Sequence, residues 1–311
     1  MKVFVAGATG AIGRPLVPKL VAAGHEVTGM TRREERAARL REDGARAVVC
    51  DVFDGDALRE ALVAAAPEVV VHALTALPQK FNPRSDYLAE TNRVRTEGTR
   101  NLIAAARAAG VRRIVAESVA FFYEPEGDWI KEEDAPLFLE PIGRFGPALE
   151  ALTELEREVN GTEGIEGVVL RFGWFYGAGT YYARGGSLAE ETMKRRNPIV
   201  GGGSGRFSFV HIEDAADAVL AALERGGPGA YNVVDDEPAP SRDWLPVYAE
   251  ALGAKPPRRL PAWLVRLVVG KALTEVALQM RGASNAKAKR ELGWQPAHPS
   301  WRQGFTESLE S

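Results

Sequence analysis

The stretch Lys2 to Arg14, KVFVAGATGAIGR, sets three glycines, Gly7, Gly10 and Gly13, between an apolar run and a segment rich in Ala, Leu and Val. Glycines so placed suit a turn that binds a dinucleotide. The first permits the tight bend, the second lets backbone approach a pyrophosphate, and the third lets the following helix pack on the strand. Backbone along Gly7, Thr9, Gly10, Ala11, Ile12 and Gly13, at the positive end of a helix dipole, would then hold the phosphates. Further on, Thr31, Arg32 and Arg33 stand at the tip of the next strand, where an acidic residue would accept hydrogen bonds from an adenosine ribose. A carboxylate there would repel a 2′-phosphate, whereas a guanidinium binds one through paired charge-assisted bonds. Arg32 and Arg33 therefore point to NADP, with NAD as the alternative. The same arginines also suit the start of the charged helix that runs to Arg41.

These residues need a frame to position them. Apolar strands at Val3 to Ala6, Glu26 to Met30, Ala47 to Cys50, Val69 to His72 and Val111 to Ala116 alternate with helical segments, the last of them Asp86 to Ala109, closed by Gly110. Unbroken alternation of this kind predicts an α/β fold: a doubly wound, parallel sheet of Rossmann type with right-handed crossovers. Ligands of such sheets gather at the carboxyl edge, which brings in Asp51 and Val52 after the third strand and Ala73 and Leu74 after the fourth. Asp51 is equally suited to cap a turn or a helix. Pro15 fits an opening helical turn, while Pro18 sits deeper and is expected to bend the helix. Gly201 to Gly205 lacks the Lys-Ser/Thr ending of a P-loop and reads as a flexible connection into the strand Phe207 to His211. Leu260 to Met280 reads as one amphipathic helix, in a small lobe or at a subunit contact that would allow a homodimer.

With 311 residues the chain can carry a sheet domain and an added lobe. Lys plus Arg total 39 against 42 for Asp plus Glu, a balance without a nucleic-acid surface, so a small molecule is the expected partner. No signal-peptide pattern and no apolar run long enough to cross a bilayer are present, and the expectation is a cytoplasmic protein without a membrane partner. Cys50, the single cysteine, excludes internal disulfides and reads as an inert thiol. His25, His72, His211 and His298 lack ligand-like spacing, so no metal is expected, and His211 is expected to anchor a turn.

Several stretches together resemble the extended short-chain dehydrogenase/reductases of the NAD(P)-dependent epimerase/dehydratase type. They are the glycine loop, TNRVRTEGTRNLIAAARAAGVRRIV, which contains Asn92, then RFGWFYGAGT, FSFVHIEDAADAVLAAL, YNVVDDEPAP and AKRELGWQP. The resemblance implies a cofactor domain of residues 1–173 and 207–225, with Asn92 beside the cofactor, and a smaller, C-terminal substrate lobe of residues 174–206 and 226–311. Active members of that family place a Ser or Thr after the fifth strand, then a Tyr followed four positions later by a Lys that lowers its pKa. Here AESVAFFY keeps Ser118 but sets Val119 where the hydroxyl belongs, and Gly146 and Glu150 fall at the Tyr and Lys positions. The chain thus resembles the atypical members that lose the standard active site. Ser118, Tyr123 and Tyr176 are the candidate catalytic groups, with Tyr181 and Tyr182 behind them, and each tyrosine is equally at home in aromatic packing. Trp174, Phe175, Tyr176, Tyr181 and Tyr182 would line a mostly apolar pocket for a cyclic or aromatic molecule. The implied function is an NAD(P)-dependent oxidoreductase or epimerase with a non-standard site; the alternative is a non-catalytic NADP-binding redox sensor.

Overall fold

A computed structural model describes residues 1–78, 88–137 and 146–310. Seven parallel strands form the main sheet: β1 (Lys2–Ala6), β2 (Glu26–Thr31), β3 (Arg46–Val49), β4 (Val69–His72), β5 (Arg113–Val119), β6 (Glu166–Phe172) and β7 (Gly229–Val233). Their order across the sheet is β7-β6-β5-β4-β1-β2-β3, so the winding reverses between β1 and β4. That reversal opens a crevice at the carboxyl ends of β1 and β4, where both the glycine loop and Ala73 emerge.

Both faces of the sheet are covered because successive side chains on each strand alternate sides. Val3 and Val5 join a core with α1 (Gly13–Ala22), α2 (Glu34–Glu42) and a later helix, Ile212–Ala222. Phe4 and Ala6 face the opposite core, built with α3 (Gly55–Ala65) and two further helices, Thr99–Ala108 and Gly146–Asn160. In chain order the remaining helices are α4 (Ala89–Arg93), which passes through a π turn at Val94–Gly98 into α5 (Thr99–Ala108), α6 (Gly146–Asn160), α7 (Ser187–Met193), α8 (Ile212–Ala222), α9 (Ser241–Ala251), α10 (Ala262–Val269), α11 (Lys271–Gln279) and α12 (Trp301–Glu310). Helix α1 continues through Pro18. Of the segment read as one helix from Asp86, the part before Leu88 lies outside the described residues.

A third core is aromatic: Tyr176, Tyr182, Phe209, Trp244, Tyr248, Trp301 and Phe305 pack together with strand Trp174–Tyr176 running parallel to Phe209–His211. Helix α8 packs against α1. Three expectations need correction. Gly229–Val233, placed in the smaller lobe, is the sheet's edge strand, paired along β6. The single helix expected over Leu260 to Met280 is two, because Gly270 adopts φ +90° between α10 and α11. Finally, Gly201 to Gly205 forms a packed turn: a Cβ on Gly205 would lie 2.3 Å from the Ala277 carbonyl oxygen, which is why glycine is required there.

Candidate active site

The glycine loop has the close backbone packing that a dinucleotide cradle needs. Gly7 sits at φ +94°, and a Cβ there would lie 2.2 Å from the Ala73 carbonyl oxygen. A Cβ on Gly13 would lie 2.3 Å from the Gly7 carbonyl oxygen, so the start of α1 can press on the turn only as glycine. The Gly10 amide donates to Gly7 O at 2.9 Å, and buried Ile12 pins the loop into the core below. Thr9 Oγ1 lies 3.5 Å from Thr31 Oγ1, tying the loop to the end of β2. These residues leave the amino end of α1 bare, and its orphan N–H groups favour an anion.

At the adenosine end, Arg32 donates to Glu90 at 2.7 Å, with both side chains about half exposed. Arg33 provides the residue before α2, and Arg32, Arg33 and Arg36 line a shallow depression together with Glu34 and Glu35. Asp51 accepts the Phe53 amide at 3.0 Å and so braces its own turn, while Asp54 caps α3 by accepting from Ala57. Val52 is buried. Arg93 lies over the Phe53 ring at 3.8 Å and closes this side. Ala73 is buried and Leu74 packs on the core, leaving backbone to face the crevice. Asn92 Oδ1 is buried without a hydrogen-bond partner, as is Trp174 Nε1.

The proposed catalytic hydroxyls are placed otherwise than the sequence suggests. Ser118 donates to Glu156 at 2.6 Å; Arg171 grips the same carboxylate through Nε and Nη2 at 2.9 and 2.6 Å. Arg171 Nη1 also donates to Tyr123 Oη at 3.0 Å, and Tyr123 donates to Asn232 at 2.6 Å. Burial pushes the Tyr123 phenol up despite Arg171 beside it. Tyr176 is fully buried in the lobe core, its Oη without a partner, and burial followed by Asp235 and Asp214 drives its pKa upward. Ser118, Tyr123 and Tyr176 are thus closed to a substrate: the first two hold a buried ionic network and the third is packing. Tyr182 belongs to the same core, and Tyr181 donates to Pro78 O at 2.5 Å. At the Tyr and Lys positions, Gly146 is buried at the start of α6 and Glu150 is exposed.

His211 accepts from the Glu213 amide at 3.3 Å and stacks on His298 at 3.8 Å, so it anchors the turn into α8. Burial and then His298 lower its pKa to about 4. Of the aromatics expected around the pocket, Phe175 packs on Phe172 instead, at 5.3 Å. Trp174 remains half-buried and stacks on Phe121 at 4.3 Å, with Phe207 on its other side at 5.7 Å.

Sequence reasoning passed over Glu117 and Arg95. Along β5, Val115 faces the α1 core and Ala116 the α3 core, and Ser118 reaches α6, so alternation sets Glu117 and Val119 on the α1 face. Glu117 is half-buried, at the carboxyl end of β5. Burial raises its pKa to about 7, with the Arg95 charge opposing. Arg95 is itself buried in the π turn, and such turns recur at functional sites. The signal in the sequence was an acid inside the apolar strand RIVAESV.

The model of the NAD dependent epimerase/dehydratase family matches residues 3–233. The 3-diazoavenalumate denitrifying reductase of Streptomyces sp is 47% identical over 306 residues, which cover 98% of this chain and 99% of that protein. Among solved structures, the UDP-glucose 4-epimerase of Thermotoga maritima with UDP-glucose matches at a TM-score of 0.78 and 21% identity, over 100% of this chain and 98% of that one. Human epimerase family protein SDR39U1 with NADPH matches at 0.75 and 24%, over 100% of each chain. At those identities the two structures speak for the fold.

Proposed function

The chain belongs to the NAD dependent epimerase/dehydratase family, NAD(P)-dependent enzymes of oxidoreductase or epimerase type acting on small molecules, and within it we propose a reductase for aryl diazonium compounds. The observation that carries this reading is the closure of the hydroxyls: Ser118, Tyr123 and Tyr176 are 1%, 3% and 0% exposed. A carbonyl reduction must protonate a nascent alkoxide, so it needs a positioned acid. Exchange of a diazonium group for hydrogen has no such need. When bound, the reduced nicotinamide supplies a hydride: a C–H bond forms at the ring carbon, the C–N pair leaves with N2, and the positive charge passes from substrate to cofactor. The 47% identity to a protein named as a diazo-compound denitrifying reductase supports this substrate class.

The chain's own residues bind and orient. The cradle that Gly7, Gly10 and Gly13 form would hold a pyrophosphate, and Arg32, Arg33 and Arg36 favour NADP through its 2′-phosphate. Phe121 and Trp174 offer a stacked face for a planar ring. Glu117, once ionised, would supply a half-buried carboxylate for a cationic substrate, and such a pairing is stronger there than in bulk water.

The test is anaerobic incubation with NADPH deuterated at its transferable position and a set of aryl diazonium salts, subtracting an enzyme-free control. Matched N2 release, NADPH oxidation and deuterium in the arene are expected. Turnover of ketones or nucleotide sugars with no diazonium reaction would overturn the reading. NADPH binding without turnover of any class would favour a sensor instead.

A further inference from the structure

Helix α10 reads AWLVRLVV, and only Val265 among its apolar residues after Ala262 is buried. Trp263, Leu267 and Val268 are 63%, 76% and 78% exposed, with Leu264 and Val269 also open. Single exposed apolar residues are ordinary, but several adjoining on one short helix mark a surface that something covers. Charge indicates what. From Gly253 to Thr274 the sequence carries Lys255, Arg258, Arg259, Arg266 and Lys271 and no Asp or Glu, in a chain of net charge −3. Among the described residues, Arg266 pairs with Glu275, while Lys255, Arg258, Arg259 and Lys271 are exposed and have no acidic partner. Strand Arg259–Leu260 pairs with Ile199–Val200, and Arg195 donates to Pro256 O at 3.1 Å, which adds another cation beside the patch.

An isologous contact with a second copy would bring two patches of the same positive sign together, because both subunits use the same surface. An anionic surface has the complementary sign. Tryptophan prefers the boundary between apolar and polar layers, and an apolar face flanked by Lys and Arg suits a helix lying in a bilayer interface. Among the described residues no helix is long and apolar enough to cross a membrane, so the contact would be peripheral. We propose that α10 and its basic flank dock this lobe on an anionic lipid bilayer, with Trp263, Leu267 and Val268 inserted and Arg258, Arg259 and Lys271 at the headgroups.

The test uses the full chain and co-sedimentation with phosphatidylcholine vesicles, with and without phosphatidylglycerol. Binding is expected only with phosphatidylglycerol and should weaken with salt. The exposed triple change Trp263→Ser, Leu267→Ser, Val268→Ser, and separately Arg258→Glu with Arg259→Glu, should each reduce it at least about tenfold while leaving NADPH binding unchanged. No binding to anionic vesicles, or equal binding by the variants, would overturn the proposal. So would a triple variant that sediments as a monomer where the unmodified protein is a dimer, since that assigns the face to a second copy.

Discussion

At the glycine loop the chain clears side chains away so that backbone meets backbone, whereas at the end of β5 it fills the space with charge. Gly7 and Gly13 leave no room for a Cβ. Around Ser118, by contrast, Glu156, Arg171, Tyr123 and Asn232 satisfy one another in a buried set. The first region is made to receive a ligand, and the second has spent its hydroxyls on internal bonds. The two regions can vary independently, because different residues build them.

The largest effect should come from opening the ionic network. Arg171→Met leaves the Glu156 carboxylate buried without its partner, and urea denaturation should show a loss of about 3–5 kcal/mol. If the loss is small, the network is not what closes Ser118 and Tyr123. Gly7→Ala is expected next, costing about 1–3 kcal/mol through backbone strain and clash, with NADPH binding lost in titration calorimetry. Retained binding would show that the loop relaxes, and the contrast between the two regions would fail.

Glu117 gives a smaller effect with a distinctive pH signature. Its folded pKa of about 7 lies above the ordinary carboxylate value, so the folded protein holds a proton that the unfolded chain releases. Its contribution is complete below the unfolded value and declines as pH rises through about 7. His72 and His211, both lowered to about 4, act in the opposite sense over part of that range. The difference between Glu117→Gln and the unmodified protein isolates Glu117: the variant should gain about 1–3 kcal/mol above pH 8 relative to acid pH. A flat difference would show that burial does not raise the Glu117 pKa. Smallest should be the adenosine end. Arg32→Ala should weaken NADPH about tenfold more than NADH, and Glu90→Gln, which frees Arg32 from an exposed pair, should tighten NADPH by less than about 1 kcal/mol. Equal effects on both cofactors would refute the preference for NADP.

The sequence by itself determined the alternating strands and helices, the glycine turn and the acid inside the fifth strand. These are local signals: periodicity, a φ requirement and residue identity each act over a few positions. Tertiary structure decided which hydroxyls a substrate could reach. Tyr123 meets Asn232 across 109 residues and Ser118 meets Glu156 across 38, and no spacing announces such partners. It also decided that Gly229–Val233 completes the sheet, since a short edge strand is fixed by the neighbour it bonds. The same holds for Glu117, whose acid was visible in a strand but whose surroundings, the Arg95 charge among them, only the folded chain supplies. Burial is a property of the assembled chain, and with it goes the protonation state on which any chemistry at that residue depends.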